Sequence, residues 1–456
     1  MVDITQFIPK TSETVEAIYA HHKKTGDARP SRGYLGASVI GHECSRYLWF
    51  LFRKCCKPEF SGRMYRLFET GDLEEFRFTK ELRAIGCEVH DVDGNGNQFE
   101  VNALGGHFSG HMDSAIYGLP EAPKTWHVGE YKTHNTKSFV KLKKEGVKVS
   151  KPLHYAQMQI YMHLSGMRRA LYLARNKDTD YLYSERVKYN KEHAEAYMER
   201  ARVIITRASV PDRITSRSND WRCKFCGAWR ICWGNEIYEK NGSPAEALPV
   251  PSLSCRQCCH ATPDTREDID IARWTCELGR SLCAEDQDRA CERMLVLPDL
   301  ISFAETVSSG GPTGSVPTWI RFRNHSDAKE WIHGKGGFSA KELLITPRDL
   351  LCDGMVRKSK ELFGAEIQGV AHDILARYPE EDCEIIYKGP ASGMQEAWAA
   401  SQLAHKTPIS VADMEEYRAQ KYEGGWVVIE WKDGDKVQPL TGTIQETIFE
   451  IRKGKE

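Results

Sequence analysis

Between positions 87 and 132 the sequence falls into short apolar runs punctuated by Gly, Asn and Pro, and this stretch constrains the fold more than any other. The runs 87–92, 98–102, 106–117 and 125–132 have strand length and strand composition. Helical patterns flank them. Ser38 is placed to cap a helix that runs through Tyr47, Leu48, Trp49, Phe50 and Leu51. A second helix is expected over 63–85, with Leu67, Phe68, Phe76, Leu82 and Ile85 as its apolar residues and Gly86 ending it. Further on, 152–164 reads as a helix opened by an early proline, 169–174 and 181–187 as strands, and 191–207 as a long helix. Helix, several strands, helix, strand is the order of an α/β unit whose mixed sheet is flanked by helices.

A chain of 456 residues exceeds what one core usually organises. Two stretches rich in turn residues and poor in buriable side chains, 241–251 and 308–317, read as linkers. They divide the chain into an N-terminal unit (1–240), a cysteine-rich segment (252–300) and a C-terminal α+β unit (318–456). In the last, 320–323 and 426–431 read as strands, Asp433-Gly434 as a hairpin turn, and 349–362 and 394–403 as helices. No catalytic constellation stands out there, and its role and the oligomeric state are not legible. With 41% hydrophobic residues the chain is globular rather than disordered, and its net charge of −1 makes it no polycation. Any nucleic-acid affinity must be local.

Residues 1–10 lack the apolar region of a signal peptide, and no apolar run approaches the ~18 residues that span a membrane. Fifteen cysteines in such a chain point to a reducing, cytoplasmic compartment, where clustered thiols bind metal more often than they pair.

The candidate chemistry centres on Glu130-Tyr131-Lys132. Strand residues two apart share a face, so Glu130 and Lys132 project together and Tyr131 points away. Asp113 lies seventeen positions upstream, near the end of the preceding run. An antiparallel neighbour at about 4.8 Å would bring it to them. Two carboxylates offer hard oxygen ligands to Mg²⁺ or Mn²⁺, and a lysine can orient a water or offset developing charge. Alone, Glu-x-Lys is most often a solvated strand face. Glu430-Trp431-Lys432 repeats the pattern without a comparable aspartate before it.

Context separates the two. Gly110-His111-Met112-Asp113, Glu130-Tyr131-Lys132 and Gln157-Met158-Gln159-Ile160-Tyr161 together resemble the PD-(D/E)XK nucleases, in particular their RecB-like exonuclease branch. Over roughly residues 35–235, that branch has a Gly-His-x-Asp strand, a Glu-x-Lys strand and a Gln-x-x-x-Tyr helix in this order. The resemblance implies a restriction-endonuclease-like core in which Asp113 and Glu130 hold the metal, Glu75 assists and Lys132 acts on the nucleophile. Gln157 and Tyr161, at i and i+4 on one helix face, would reach the site or the DNA backbone. Many members carry a histidine shortly after the helix glycine; here Asp72 follows Gly71. The activity implied is metal-dependent exonuclease action on single- or double-stranded DNA ends, in recombination, repair or phage genome processing. An endonuclease of the same fold and a non-catalytic nucleic-acid scaffold are the alternatives. With no Gly-x4-Gly-Lys-Ser/Thr motif, the chain would act alone or recruit a motor or recombination protein. Between Lys124 and Lys151 eight lysines face two glutamates, which suits a phosphate backbone.

The cysteines form two groups. Cys223, Cys226 and Cys232 are three potential ligands, and a zinc ion or a cubane cluster needs a fourth. Iron–sulfur members of the RecB-like branch place one cysteine before the core and three after it around a [4Fe–4S] cluster. By that resemblance Cys44 completes the set. Zinc in the same thiolates, or plain core cysteines, are the other readings. Beyond the first linker come Cys255, Cys258, Cys259 and His260, then Cys276, Cys283 and Cys291. A segment this short builds little core without a staple, and Cys255-x2-Cys258 begins like a zinc knuckle. Cys276 and Cys291 are the expected partners in a structural Zn²⁺ site, with Cys259, His260 and Cys283 still open.

Overall fold

The computed structural model describes residues 12–30, 32–240, 247–312, 316–352 and 356, together with the strands Glu366–Val370, Arg418–Tyr422 and Gly425–Glu430. The architecture is mixed α/β with several sheets. Its largest sheet has five strands in the order β2 (Glu88–His90), β5 (Ser114–Tyr117), β6 (His127–His134), β7 (Arg169–Asn176) and β8 (Leu182–Lys188). All neighbours run antiparallel except β6 and β7. A parallel pair needs a crossover, which is made by α4 (Thr136–Ser150) and α5 (Pro152–Ser165). Asn135 caps α4 by accepting from the Ser138 N–H; α5 starts on Pro152 and ends at Gly166, in the left-handed region at φ 75°.

One face of this sheet packs on α3 (Gly62–Ala84) through Phe78, Leu82, Val89, Ile116, Tyr131 and Leu171. The opposite face belongs to the main core, with Val128, Met158, Ile160, Ala170 and Tyr172. Strand alternation thus does what the sequence implies: Tyr131 goes to the α3 side, 5.4 Å from the Phe78 ring, and its neighbours go to the other.

Several expectations are corrected. The helix α2 (Ser45–Phe52) is capped not by Ser38, which lies in a separate 3-10 turn, but by Cys44, whose sulfur accepts from the Tyr47 N–H. The inward face of α3 is Glu74, Phe78, Thr79 and Leu82, whereas Leu67, Phe68, Phe76 and Ile85 are exposed. Burial of Glu74 is compensated by Arg175. The run 106–117 is two strands. β4 (Phe108–Met112) joins β1 (Leu35–Gly36) and β3 (Phe99–Ala103) in a small sheet, and β5 joins the large one. Asp113 is the residue at the switch. Helices α1 (Glu13–Asp27), α4 and α7 (Trp229–Lys240) have no counterpart in the sequence reading, whereas the long helix expected over 191–207 is α6 (Lys191–Thr206).

The cysteine-rich segment forms a three-stranded antiparallel sheet of β9 (Ala261–Pro263), β10 (Trp274–Cys276) and β11 (Arg280–Leu282). It packs directly on the N-terminal unit: Trp274 stacks on Phe52 at 5.6 Å, and Arg53 and Arg256 lie over these rings. The stretch read as a first linker contributes Ala247, Leu248 and Val250 to the core. The second begins inside β12 (Ala304–Gly310), which pairs with β13 (Trp319–Asn324), followed by β14 (Glu330–Gly334). The expected strand at 426–431 is found as β17 (Gly425–Glu430), between β15 (Glu366–Val370) and β16 (Arg418–Tyr422). Of the expected helix 349–362, the described part is a 3-10 turn, Arg348–Cys352, and Val356. Lys432, the Asp433-Gly434 turn and 394–403 lie outside the described residues. Among the described residues no helix is long and apolar enough to cross a membrane.

Candidate active site

Asp113, Glu130 and Lys132 meet where the large sheet adjoins the small one. Glu130 and Lys132 leave β6 on the face opposite Tyr131. The antiparallel β5–β6 pairing sets Ser114 across from Gly129, which brings Asp113 alongside. Lys132 Nζ lies 2.7 Å from Glu130 Oε1 and 3.6 Å from Asp113 Oδ2. The Tyr131 backbone N–H donates to Asp113 Oδ2 at 2.7 Å and fixes that carboxylate. Lys132 also donates to the Tyr131 carbonyl at 2.7 Å.

Glu130 is fully buried, and neither of its oxygens has a partner of hydrogen-bond geometry. The close approach of Lys132 is therefore an ion pair without an aligned N–H···O bond. Burial raises the Glu130 pKa to about 8; Lys132 opposes the shift, and Asp113 and Glu75 add to it. Glu75, on α3, is drawn into the same field. Burial, then Asp113, raise its pKa to about 7. Lys132 pays for its own burial, but Asp113, Glu130 and Glu75 outweigh that and hold the ammonium pKa above its usual value.

Gln157 and Tyr161 are both buried and bonded to one another, Gln157 Nε2 donating to Tyr161 Oη at 3.1 Å. Burial, then Glu130, push the tyrosine pKa upward. Gly110 is the reason the tyrosine fits: a Cβ there would lie 2.7 Å from its ring. All six residues picked from the sequence, Glu75, Asp113, Glu130, Lys132, Gln157 and Tyr161, thus belong to one neighbourhood.

The same face of β6 carries His134, and α5 carries His154 one turn before Gln157. Tyr172 Oη sits between them, 2.8 Å from His134 Nε2 and 2.8 Å from His154 Nδ1. Sequence reasoning missed this group. Its signal was present: His134 continues the Glu130–Lys132 alternation, and His154 continues the Gln157–Tyr161 face backward.

Could these residues hold a metal? Among the described residues no three His, Cys, Asp or Glu side chains converge tightly enough to chelate one ion. The chemistry of the donors nonetheless fits a hard divalent cation. Two sealed carboxylate oxygens lack a hydrogen-bond donor, and neighbouring carboxylates raise the proton affinity of Glu130 and Glu75.

Cys44, Cys223, Cys226 and Cys232 line one pocket with Trp229 and Trp233. Burial raises the Cys226 pKa to about 11, and Cys44, Cys232 and Cys223 contribute. In the other group, burial raises the Cys255 pKa to about 12, with Cys258, Cys291 and Cys276 acting on it. Burial is the main cause of both shifts, and among the described residues no three of these thiols converge tightly enough to chelate one ion. Cys259 interacts with Cys258, His260 pairs with Glu277 at 3.3 Å, and Cys283 is exposed beside Asp286.

No family model and no curated protein matches the chain. Among solved structures it is similar to the crystal structure of SSO0001 (TM-score 0.30, 15% identity, covering 48% of this chain and 96% of that one). It is also similar to the alkaline exonuclease LHK-Exo from Laribacter hongkongensis (TM-score 0.27, 14% identity, 41% and 90% covered). The same exonuclease in complex with dAMP gives a TM-score of 0.28 at 14% identity, covering 50% and 98%. At such TM-scores the likeness carries no weight for the site, which stands on its own geometry.

Proposed function

We propose that this chain is a metal-dependent deoxyribonuclease with a PD-(D/E)XK core of the RecB-like type, hydrolysing phosphodiester bonds from DNA ends. The observation that supports it most is the meeting of Asp113 and buried Glu130 around the Lys132 ammonium, at 3.6 and 2.7 Å. A bound Mg²⁺ or Mn²⁺ supplies Lewis acidity and a water of lowered pKa. Asp113 and Glu130 are the residues to hold it, with Glu75 assisting. Asp113 is pre-aimed by the Tyr131 N–H, so its orientation costs nothing at the moment of reaction. Lys132 turns from its carboxylates toward the charge that develops on the attacked phosphate. Gln157 and Tyr161 form a buried polar wall beside Glu130 that positions the strand. The lysines of α4, including Lys137, Lys141, Lys144 and Lys148, offer counter-charge for the backbone.

Cys44, Cys223, Cys226 and Cys232 are assigned to a [4Fe–4S] cluster that clamps the start of the unit to its end, with zinc as the alternative metal. Its role is structural, because hydrolysis moves no electron. Cys255, Cys258, Cys276 and Cys291 are assigned to a structural Zn²⁺ site. The substrate partner is DNA, with a motor or recombination protein as a second partner.

The test is cleavage of end-labelled linear DNA and closed circular DNA with Mn²⁺. Mononucleotides or short products from linear DNA only, lost in Asp113→Ala, are expected. Cutting of the closed circle would make the enzyme an endonuclease of the same fold, and no cleavage of either would leave a binding scaffold.

A further inference from the structure

The hydrogen bonds beyond Lys132 run in one direction. Lys151 Nζ has donors and no acceptor, so Ser138 Oγ accepts from it. Among the described residues the Ser138 hydroxyl has one acceptor within hydrogen-bond distance, His134 Nδ1 at 3.2 Å. With Nδ1 accepting, a neutral His134 keeps its proton on Nε2 and donates it to Tyr172 Oη at 2.8 Å. The Tyr172 hydroxyl is then left to donate to His154 Nδ1, also at 2.8 Å. That makes His154 the Nε2–H tautomer. Each link inherits its polarity from the one before, and the series is anchored by a side chain that can only donate.

The geometry is braced. The His154 and Tyr172 rings stack at 5.7 Å with 25° between planes, and those of His134 and His154 at 6.1 Å with 27°. Tyr172 is fully buried and His134 nearly so. Burial, reinforced by Lys132 and Lys151, depresses both imidazole pKa values, to about 4 at His134 and about 3 at His154, so both rings are neutral.

What remains is the far nitrogen. Among the described residues His154 Nε2 makes no hydrogen bond, and in this half-buried residue it is not one of the fully sealed polar atoms. His154 shares the α5 face of Gln157 and Tyr161 and lies within the field of Lys132. A purely structural histidine would need one hydrogen bond, not a four-residue relay that fixes which nitrogen carries the outward proton.

We propose that His154 is a phosphate-contacting residue of this cleft, presenting Nε2–H to a non-bridging oxygen of a nucleic-acid strand beside Lys132. Lys151, Ser138, His134 and Tyr172 are positioning residues that set its tautomer. The inference rests on the nuclease reading for its ligand class, and its test separates the two. In full-length protein with ¹⁵N-histidine, ring-nitrogen NMR correlation resolves His154 by its loss in His154→Gln. The expected result is a single Nε2–H tautomer whose Nε2 signal shifts on addition of a short single-stranded oligodeoxynucleotide in EDTA. Tyr172→Phe, which keeps the ring packing, should give a mixture of tautomers. With Mn²⁺, His154→Ala should cleave about 10- to 100-fold more slowly, the range of one lost bond to a charged group. His154→Gln, which keeps an N–H near the same place, should recover part of that. An Nδ1–H tautomer, or an Nε2 signal that excess oligonucleotide leaves unmoved, overturns the proposal. A shifting signal without cleavage keeps the contact and removes the nuclease reading. Cleavage with an unmoved signal does the reverse.

Discussion

Lys132 Nζ lies 2.7 Å from Glu130 Oε1, and the carboxylate it faces is sealed from solvent without one aligned hydrogen bond. A buried charge held this way is stable only while a cation stands beside it or a proton sits on it. Glu130 can use either, since its pKa stands at about 8.

Lys132→Met tests that balance. Without the ammonium that holds it down, the Glu130 pKa rises further above about 8, so the carboxyl stays protonated at neutral pH and the fold survives where loss of a partner in a permanently charged buried pair would cost ~3–5 kcal/mol. Thermal unfolding at pH 6 should change little, and at pH 9, where wild-type Glu130 ionises beside Lys132 and the variant has no cation to favour that charge, the melting temperature should drop clearly. Cleavage should fall by at least ~100-fold at both pH values, the cost of losing one preorganised charge at the reacting phosphate.

Metal-free protein should become less stable as pH rises from 5 to 9. Glu130 and Glu75 bind protons more tightly folded than unfolded, because burial and neighbouring carboxylates raise their pKa values to about 8 and about 7. That stabilisation is complete below the ordinary carboxylate range and is lost as pH passes through the raised values. The slope is bounded at ~1.4 kcal/mol per pH unit for each group. Denaturant unfolding at several pH values measures it. Glu130→Gln should flatten the slope, and Mn²⁺ should stabilise wild type most at the alkaline end, where its carboxylates are free.

The join between the N-terminal unit and the cysteine-rich segment depends on Arg256. It is 2% exposed, donates to the Phe52 and Gly33 carbonyls and to Gln287 Oε1, and lies over the Phe52 and Trp274 rings. Burial lowers its pKa to about 10, which still leaves it charged at neutral pH. Arg256→Ala leaves a cavity and several unpaired acceptors, and should cost ~3–5 kcal/mol. Limited proteolysis should then cut within 252–300 in the variant and spare it in wild type.

The two cysteine groups should be separable by metal content. Anaerobically purified protein is expected to carry iron and sulfide with visible absorbance, lost in Cys226→Ser, and one zinc, lost in Cys258→Ser. A colourless protein whose only metal is zinc would refute the cluster and leave the zinc assignments.

How far the sequence could be read depended on how local the cause was. The common face of Glu130 and Lys132 follows from strand alternation alone, and the Gln157–Tyr161 face from helical period. Asp113 was placed correctly for an incomplete reason: no glycine or proline marks the break between Met112 and Ser114, so the transfer of the chain from one sheet to the other was invisible. Helix α4 was missed because its inward residues, Phe139, Leu142 and Val147, are few among lysines and are interrupted by Gly146 at φ 71°. The α3 face was misjudged because a buried glutamate paired with Arg175 looks like a surface residue in sequence, while exposed Phe76 looks like core. Arg53 and Arg256 are the extreme case, as backbone carbonyls and aromatic rings solvate them in place of water. Turn composition suggested a linker at 308–317 where a long-range pairing, β12 with β13, turns the chain within one sheet.

The most direct test of the central claim is Mn²⁺ binding and Mn²⁺-dependent cleavage measured on the same preparations of wild type, Asp113→Ala and Glu130→Gln. Wild type should bind Mn²⁺ by calorimetry and degrade linear DNA, and both variants should lose binding and cleavage together while retaining the wild-type circular dichroism spectrum. Wild-type cleavage rates in either folded variant would contradict the assignment of Asp113 and Glu130 as the metal-holding pair.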